Sequence, residues 1–125
     1  MPIVDIEVVT GRADREVVDK ETLQLLADDL GRLFGSDPGG TWVRLRSIDQ
    51  HAYAENNGGV PGSQAQPVLV SILRAELPER AALGREMAGV AEIVARMLDR
   101  PRENIHVLYA PDARGRIGFG GTLLE

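Results

Sequence analysis

The chain uses one plan twice, and that repeat restricts the folds open to it more than any single motif does. A proline-led β-branched run, an amphipathic helical stretch, a second strand and a glycine-rich close recur about 62–65 residues apart. Pro2 matches Pro67, and Gly58-Gly59 matches Gly120-Gly121. In the first half Ile3, Val4, Ile6, Val8 and Val9 mark a strand over about residues 2–9. Asp14 stands where it can cap a helix over about 15–34, and Leu23, Leu26, Leu30 and Leu33 follow the spacing of one buried helical face. Gly35 is the expected stop, and residues 36–40 form a loop. Residues 41–48 alternate as a strand, with Trp42, Arg44, Arg46 and Ile48 on one side. Residues 49–66 are polar and glycine-rich, suited to a hairpin followed by a linker.

The second half repeats the order. PVLVSILR from Pro67 reads as strand three, Pro78 fits the first turn of a helix over 79–98, and Leu83, Met87, Val90, Val94 and Met97 mark its buried face. Asp99-Arg100-Pro101 breaks that helix, residues 105–110 read as strand four, and the glycines of 115–121 make a second hairpin. A βαβ unit implies a parallel strand pair with a right-handed crossover helix on one face. Two such units predict an α/β (α+β) domain: one four-stranded sheet with both helices on the same side. The single domain spans 1–125, with repeat one over about 2–60, a linker over 61–66 and repeat two over 67–125. Because the strands carry apolar residues on both faces, the helix-free face needs covering, most simply by further copies of the chain.

Composition narrows the function. A net charge of −5 argues against a nucleic-acid partner. With no cysteine, thiolate chemistry and disulfides are excluded. Asp5, Glu7, Asp14 and Glu16 interrupt the first twenty residues, against a signal peptide, and no apolar run reaches membrane-spanning length. A cytoplasmic protein without membrane contact is the expectation. His51 and His106 are too far apart in the chain to suggest a metal site, and no cofactor motif is present. The glycines of 115–121 follow a strand but precede no helix, so they do not make a phosphate loop.

The chemistry-bearing feature is Pro2. A small residue behind the initiator methionine favours removal of that methionine, which leaves a secondary amine at the start of a strand. Such an amine starts near or above pKa 8, and burial or nearby cations lower it toward the range of a useful general base. Read on its own, Pro2 is more simply a small second residue that never meets a substrate.

The whole pattern, however, resembles the tautomerase superfamily, which contains 4-oxalocrotonate tautomerase, malonate semialdehyde decarboxylase, the 3-chloroacrylic acid dehalogenases and macrophage migration inhibitory factor. Pro2-Ile3 with the strand and Gly11-Arg12, Val43-Arg44, the run from Glu103 to Tyr109 and the closing 114–121 carry the likeness, which covers nearly the entire chain. The length is similar to members made of two fused subunits, and the resemblance implies a tautomerase-like fold, a homotrimer and no cofactor. It implies Pro2 as base, Arg44 as a catalytic arginine, and Arg12 and Arg74 as residues that bind a small carboxylate substrate. Tyr53, by its place in the expected first hairpin, is a further candidate to close the pocket, although a solvated hairpin residue is the commoner case. A guanidinium can hold a carboxylate bidentately and stabilise a developing enolate. Departures from the family pattern narrow the activity. The Pro67 nitrogen is an amide, His106 stands where the first half has Arg44, and Leu77 replaces a second loop arginine. Phe119 stands near the place of the water-activating glutamate of the dehalogenases, and Gly40-Thr41 near that of the decarboxylase acid. These gaps favour tautomerisation over decarboxylation or hydration. A rival of another class is a non-catalytic ferredoxin-like ligand-binding module, which shares the order of elements but would pair its strands antiparallel.

Overall fold

The structure, a computed structural model, describes residues 2–11, 17–58 and 66–125. Its main sheet comprises β1 (Ile3–Thr10), β2 (Trp42–Asp49), β3 (Val68–Leu73) and β4 (Ile105–Tyr109), in the order β2-β1-β3-β4. The β1·β2 and β3·β4 pairs are parallel, and β1 runs antiparallel to β3. The repeat is therefore present as two parallel βαβ units joined back to back at the sheet's centre. Parallel pairing within each unit excludes the all-antiparallel sheet expected for the ferredoxin-like alternative.

Both helices, α1 (Lys20–Phe34) and α2 (Arg80–Leu98), pack on one face. Period-two alternation decides which side chains they cover. Val4, Ile6 and Val8 of β1 and Val68, Val70 and Ile72 of β3 are buried against Leu26 and Leu30 of α1 and Val90, Val94 and Leu98 of α2. Each of these side chains contributes on the order of 1.5–3 kcal/mol by leaving water, so the aliphatic core stands without aromatic residues at its centre. Gly89 brings α2 close to α1: a Cβ there would lie 3.0 Å from Leu33 Cδ1.

Helix boundaries differ from the sequence expectations in two places. Val17 and Val18 are not helical; α1 starts after Asp19, whose carboxylate accepts from the Thr22 N–H at 2.7 Å. The β-branched pair resists the helix and the nearer aspartate caps it. Asp14 lies outside the described residues. Pro78 precedes the first turn of α2 instead of opening it, because Glu79 caps it by accepting from Ala81 and Ala82 N–H. Gly35 ends α1 at φ 68°, as expected of a glycine stop.

The expected first hairpin is not formed by the described residues. Asp49 accepts from the His51 N–H at 2.8 Å and turns the chain into a short 3₁₀ segment, Gln50–Ala52, and no strand follows among the described residues before β3. A side-chain bond to the backbone two residues on closes the chain into a turn and competes with ladder formation. Residues 59–65, which include Gly59 of the repeat, lie outside the description. The second hairpin is present: β5 (Gly118–Phe119) pairs antiparallel with β6 (Thr122–Leu123) across Gly120 and Gly121, at φ 59° and 86°. Positive φ at both central positions is what a two-residue hairpin turn requires.

Candidate functional site

Antiparallel register places the N-terminus. Ile3 lies opposite Leu73, so one further step sets Pro2 against Arg74, the residue just beyond β3. Position 2 shares its side with Val4 and Ile6, and Arg74 shares its side with Ile72 and Val70, so both belong to the helix-covered face. Pro2 is buried, and its carbonyl accepts from the Trp42 N–H at 3.0 Å, which ties it to the start of β2.

Two clefts meet at Pro2. One, of about 410 Å³, is lined by Pro2, Arg74, Glu76, Leu77, Pro78 and Arg114. That volume lies within the range of small-molecule sites. The other, of about 240 Å³, is lined by Pro2, Ile3, Gly39, Gly40, Trp42 and Phe119. It is aromatic, with Trp42 and Phe119 meeting edge to face at 5.6 Å between ring centres. Trp42 Nε1 donates to the Gly39 carbonyl at 3.0 Å and closes the loop before β2.

Arg74 is held from two sides. Its Nη1 donates to Glu86 Oε1 at 2.5 Å, and its guanidinium sits over the Phe34 ring at 5.6 Å. The hydroxyl of Tyr109 donates to the other oxygen of Glu86 at 2.6 Å. Burial, together with that bond to Glu86, pushes the Tyr109 phenol far above its usual value. Arg114 arrives from the segment after β4, which runs on beside β3: Ala113 N–H donates to the Arg74 carbonyl at 2.9 Å and Arg114 N–H to the Ala75 carbonyl at 3.1 Å. The Arg114 side chain donates to Glu76 at 2.5 Å and also to the Glu125 carbonyl.

Of the residues singled out in the sequence, Pro2 and Arg74 share a cleft. Arg44 lines neither cleft at Pro2. It projects from β2 on the helix-free face, where Nε and Nη2 donate to the two oxygens of Asp5 at 2.6 and 2.9 Å. The Arg44 bond holds the Asp5 carboxyl below its usual value, and the guanidinium is correspondingly raised. Arg46 pairs with Glu7 in the next row of the same face. Tyr53 follows β2 at the end of the sheet remote from Pro2, its hydroxyl donating to Glu55 at 2.5 Å. Arg12 lies outside the described residues, and its neighbour Gly11 stands at the far end of β1 from Pro2. An eight-residue strand spans roughly 27 Å, so one chain does not bring Tyr53 to Pro2, and Arg44 stays on the opposite face.

Glu86, Tyr109 and Arg114 surround the Pro2 and Arg74 end of the sheet and were not singled out as site residues. A signal for Glu86 existed: it is the acidic position beside Met87 and Val90 on the otherwise apolar stripe of α2. Among the described residues no group of three or more His, Cys, Asp or Glu could hold a metal ion, and no helix is long and apolar enough to cross a membrane.

A mixed four-stranded sheet with two helices on one face, built from two βαβ units, is the fold of the 4-oxalocrotonate tautomerase and macrophage migration inhibitory factor group. Solved structures carry the comparison. A fused 4-oxalocrotonate tautomerase, described as a wild-type symmetric trimer, superposes with a TM-score of 0.71 at 13% identity, over 98% of this chain and 94% of that one. The macrophage migration inhibitory factor of Oncomelania hupensis gives 0.75 at 14% identity, over 100% of this chain and 83% of that one. Pt0534, solved after inactivation by 2-oxo-3-pentynoate, gives 0.73 at 13% identity, over 98% and 96%. No family model and no curated protein sequence matches the chain.

Proposed function

We propose that this chain is a cofactor-independent tautomerase of small 2-oxo or enol carboxylic acids, cytoplasmic and working as a homotrimer, with the Pro2 amine as general base. The observation that carries this reading is the register that sets a buried Pro2 against Arg74 at one cleft. The amine takes a proton from the enol hydroxyl or from the carbon beside the carbonyl and returns it to the carbon of the keto product. Arg74 binds the carboxylate and offsets the negative charge that develops on the enolate oxygen. The inactivation of Pt0534 by an acetylenic 2-oxo acid supports this substrate class for the fold.

Arg12, Arg44 and Tyr53 enter the same scheme through assembly. Tyr53 belongs to the end of the sheet opposite Pro2, and Arg44 to the helix-free face, so a neighbouring copy would supply them; Arg12, outside the described residues, is proposed to join them on the resemblance alone. That face exposes Leu108 at 68% and Trp42 at 50%, and packing against other copies would cover both. Tautomerisation is preferred to hydration or decarboxylation because the aromatic cleft at Pro2 carries no acid among its described lining. The acid on the other side, Glu76, is engaged by Arg114.

Intact mass measured beside a phenylpyruvate or 2-hydroxymuconate ketonisation assay on the same sample tests the reading. A mass short by one methionine, with activity present and reduced about 100-fold or more in Pro2→Ala, is expected. A processed but inactive wild type would refute it. A retained methionine leaves Pro2 as an amide, and the assay is then run on protein whose N-terminus has been freed enzymatically.

A further inference from the structure

We propose that Glu86, locked by Tyr109, is a positioning residue: it fixes the Arg74 guanidinium and sets the net charge beside the Pro2 amine. The inference rests on the reading of Pro2 as the base and adds a residue from α2 to it.

Both oxygens of Glu86 are assigned, Oε1 to Arg74 at 2.5 Å and Oε2 to Tyr109 at 2.6 Å. The Glu86 side chain is 11% exposed and that of Arg74 22%. A carboxylate held at both oxygens cannot swing, and the guanidinium it grips sits over the Phe34 ring. Glu86 takes one of the five N–H donors of Arg74, and the donors on the cleft side remain for a substrate carboxylate. Tyr109 donates its hydroxyl proton to Glu86, so it serves the arginine rather than the substrate.

The charges around Pro2 come in compensating pairs. Arg74 and Glu76 stand at the end of β3, Glu86 comes from α2, Tyr109 from β4 and Arg114 from the segment after β4. Arg74 is balanced by Glu86, and Arg114 by Glu76. Neutralising Glu86 leaves one uncompensated cation next to the amine and disfavours its protonated form.

The test uses the full-length, methionine-processed protein labelled with ¹⁵N-proline. The Pro2 nitrogen is titrated by NMR, and ketonisation of phenylpyruvate enol is followed on the same samples. Glu86→Gln keeps the shape and the acceptor oxygen but removes the charge. It should weaken proton binding at Pro2 about three- to tenfold and raise KM about tenfold, with a smaller change in kcat. Tyr109→Phe frees Glu86 to move and should raise KM about threefold while leaving the titration within twofold of wild type. Glu86→Asp should recover part of the loss. A purely structural Glu86 would lower Tm yet leave the titration and KM within twofold, which overturns the proposal. If Glu86→Gln does not fold, an unchanged KM in Tyr109→Phe overturns it instead. A shifted titration in an inactive wild type would support the electrostatic coupling and refute the tautomerase reading alone.

Discussion

The Arg74–Glu86 pair offers a sharp test of how this fold tolerates charge near its core. Breaking a fully buried ion pair from one side costs about 3–5 kcal/mol, because the surviving charge is stranded, whereas replacing both partners by apolar groups of similar volume is close to neutral. Here the pair is less than fully buried, at 22% and 11% side-chain exposure, so water screens part of the penalty. Arg74→Met leaves Glu86 with Tyr109 as its remaining partner and should cost about 2–3 kcal/mol. About 0.5–1 kcal/mol of that is the lost contact with the Phe34 face. Glu86→Leu leaves a guanidinium that can still turn toward the cleft, so about 1–2 kcal/mol is expected. The double variant should cost only about 1–2 kcal/mol, less than the sum of the two single changes, for a coupling of about 2 kcal/mol.

Urea unfolding at one fixed protein concentration reads these values, since the proposed assembly would make apparent stability depend on concentration. With a slope of about 2 kcal/mol per molar, Arg74→Met should lower the midpoint by about 1 M, and the double variant should recover part of that. Additive single effects would refute the reasoning, because they would mean that neither charge depends on the other.

Other consequences follow from the same geometry. The raised phenol of Tyr109 keeps its proton in the fold while an unfolded tyrosine loses it above about pH 10, so stability should fall as pH rises past that point; urea midpoints at pH 9 and 11 should show a smaller fall in Tyr109→Phe. The lowered carboxyl of Asp5 contributes stability that is complete above its ordinary value of 3.8 and lost as pH falls below it; Asp5→Asn should be less stable than wild type at pH 6, and the gap should close on acidification. Leu30→Ala, at a fully buried position facing both the sheet and α2, should lower stability by about 3 kcal/mol by chemical denaturation.

What the sequence made legible were the parts governed by periodicity. The β-branched runs of 3–9 and 68–73 marked the central strands, and the leucine spacing of residues 23–33 marked the side of α1 that turns to the core; which face of the apolar strands is buried was left to the helices. The repeat implies the two parallel units that the sheet contains. The misses arose where local hydrogen bonds compete. Asp49 spends its carboxylate on the His51 amide and forms a turn where a hairpin was expected, and Asp19 takes the cap assigned to Asp14. Such choices depend on a few tenths of an ångström, which a pattern of apolar and polar letters does not carry.

The candidate site divides along the same line. Pro2 and Arg74 belong to one set by resemblance, and the antiparallel register is what sets them side by side. Arg44 was also singled out, yet β2 runs parallel to β1 and its odd–even phase turns residue 44 away from the helices and onto Asp5. A phase change of one residue would have sent Arg44 toward the core, where its charge would need a buried partner. Arg44 instead meets a carboxylate on the open face, and in the proposed trimer a second copy would have to approach that face before the guanidinium could serve a substrate. Oligomer formation and activity should therefore rise together as the protein is titrated through its assembly concentration. Activity proportional to protein at concentrations where only monomer is present would mean that Pro2 and Arg74 suffice within one chain, without help from Arg44.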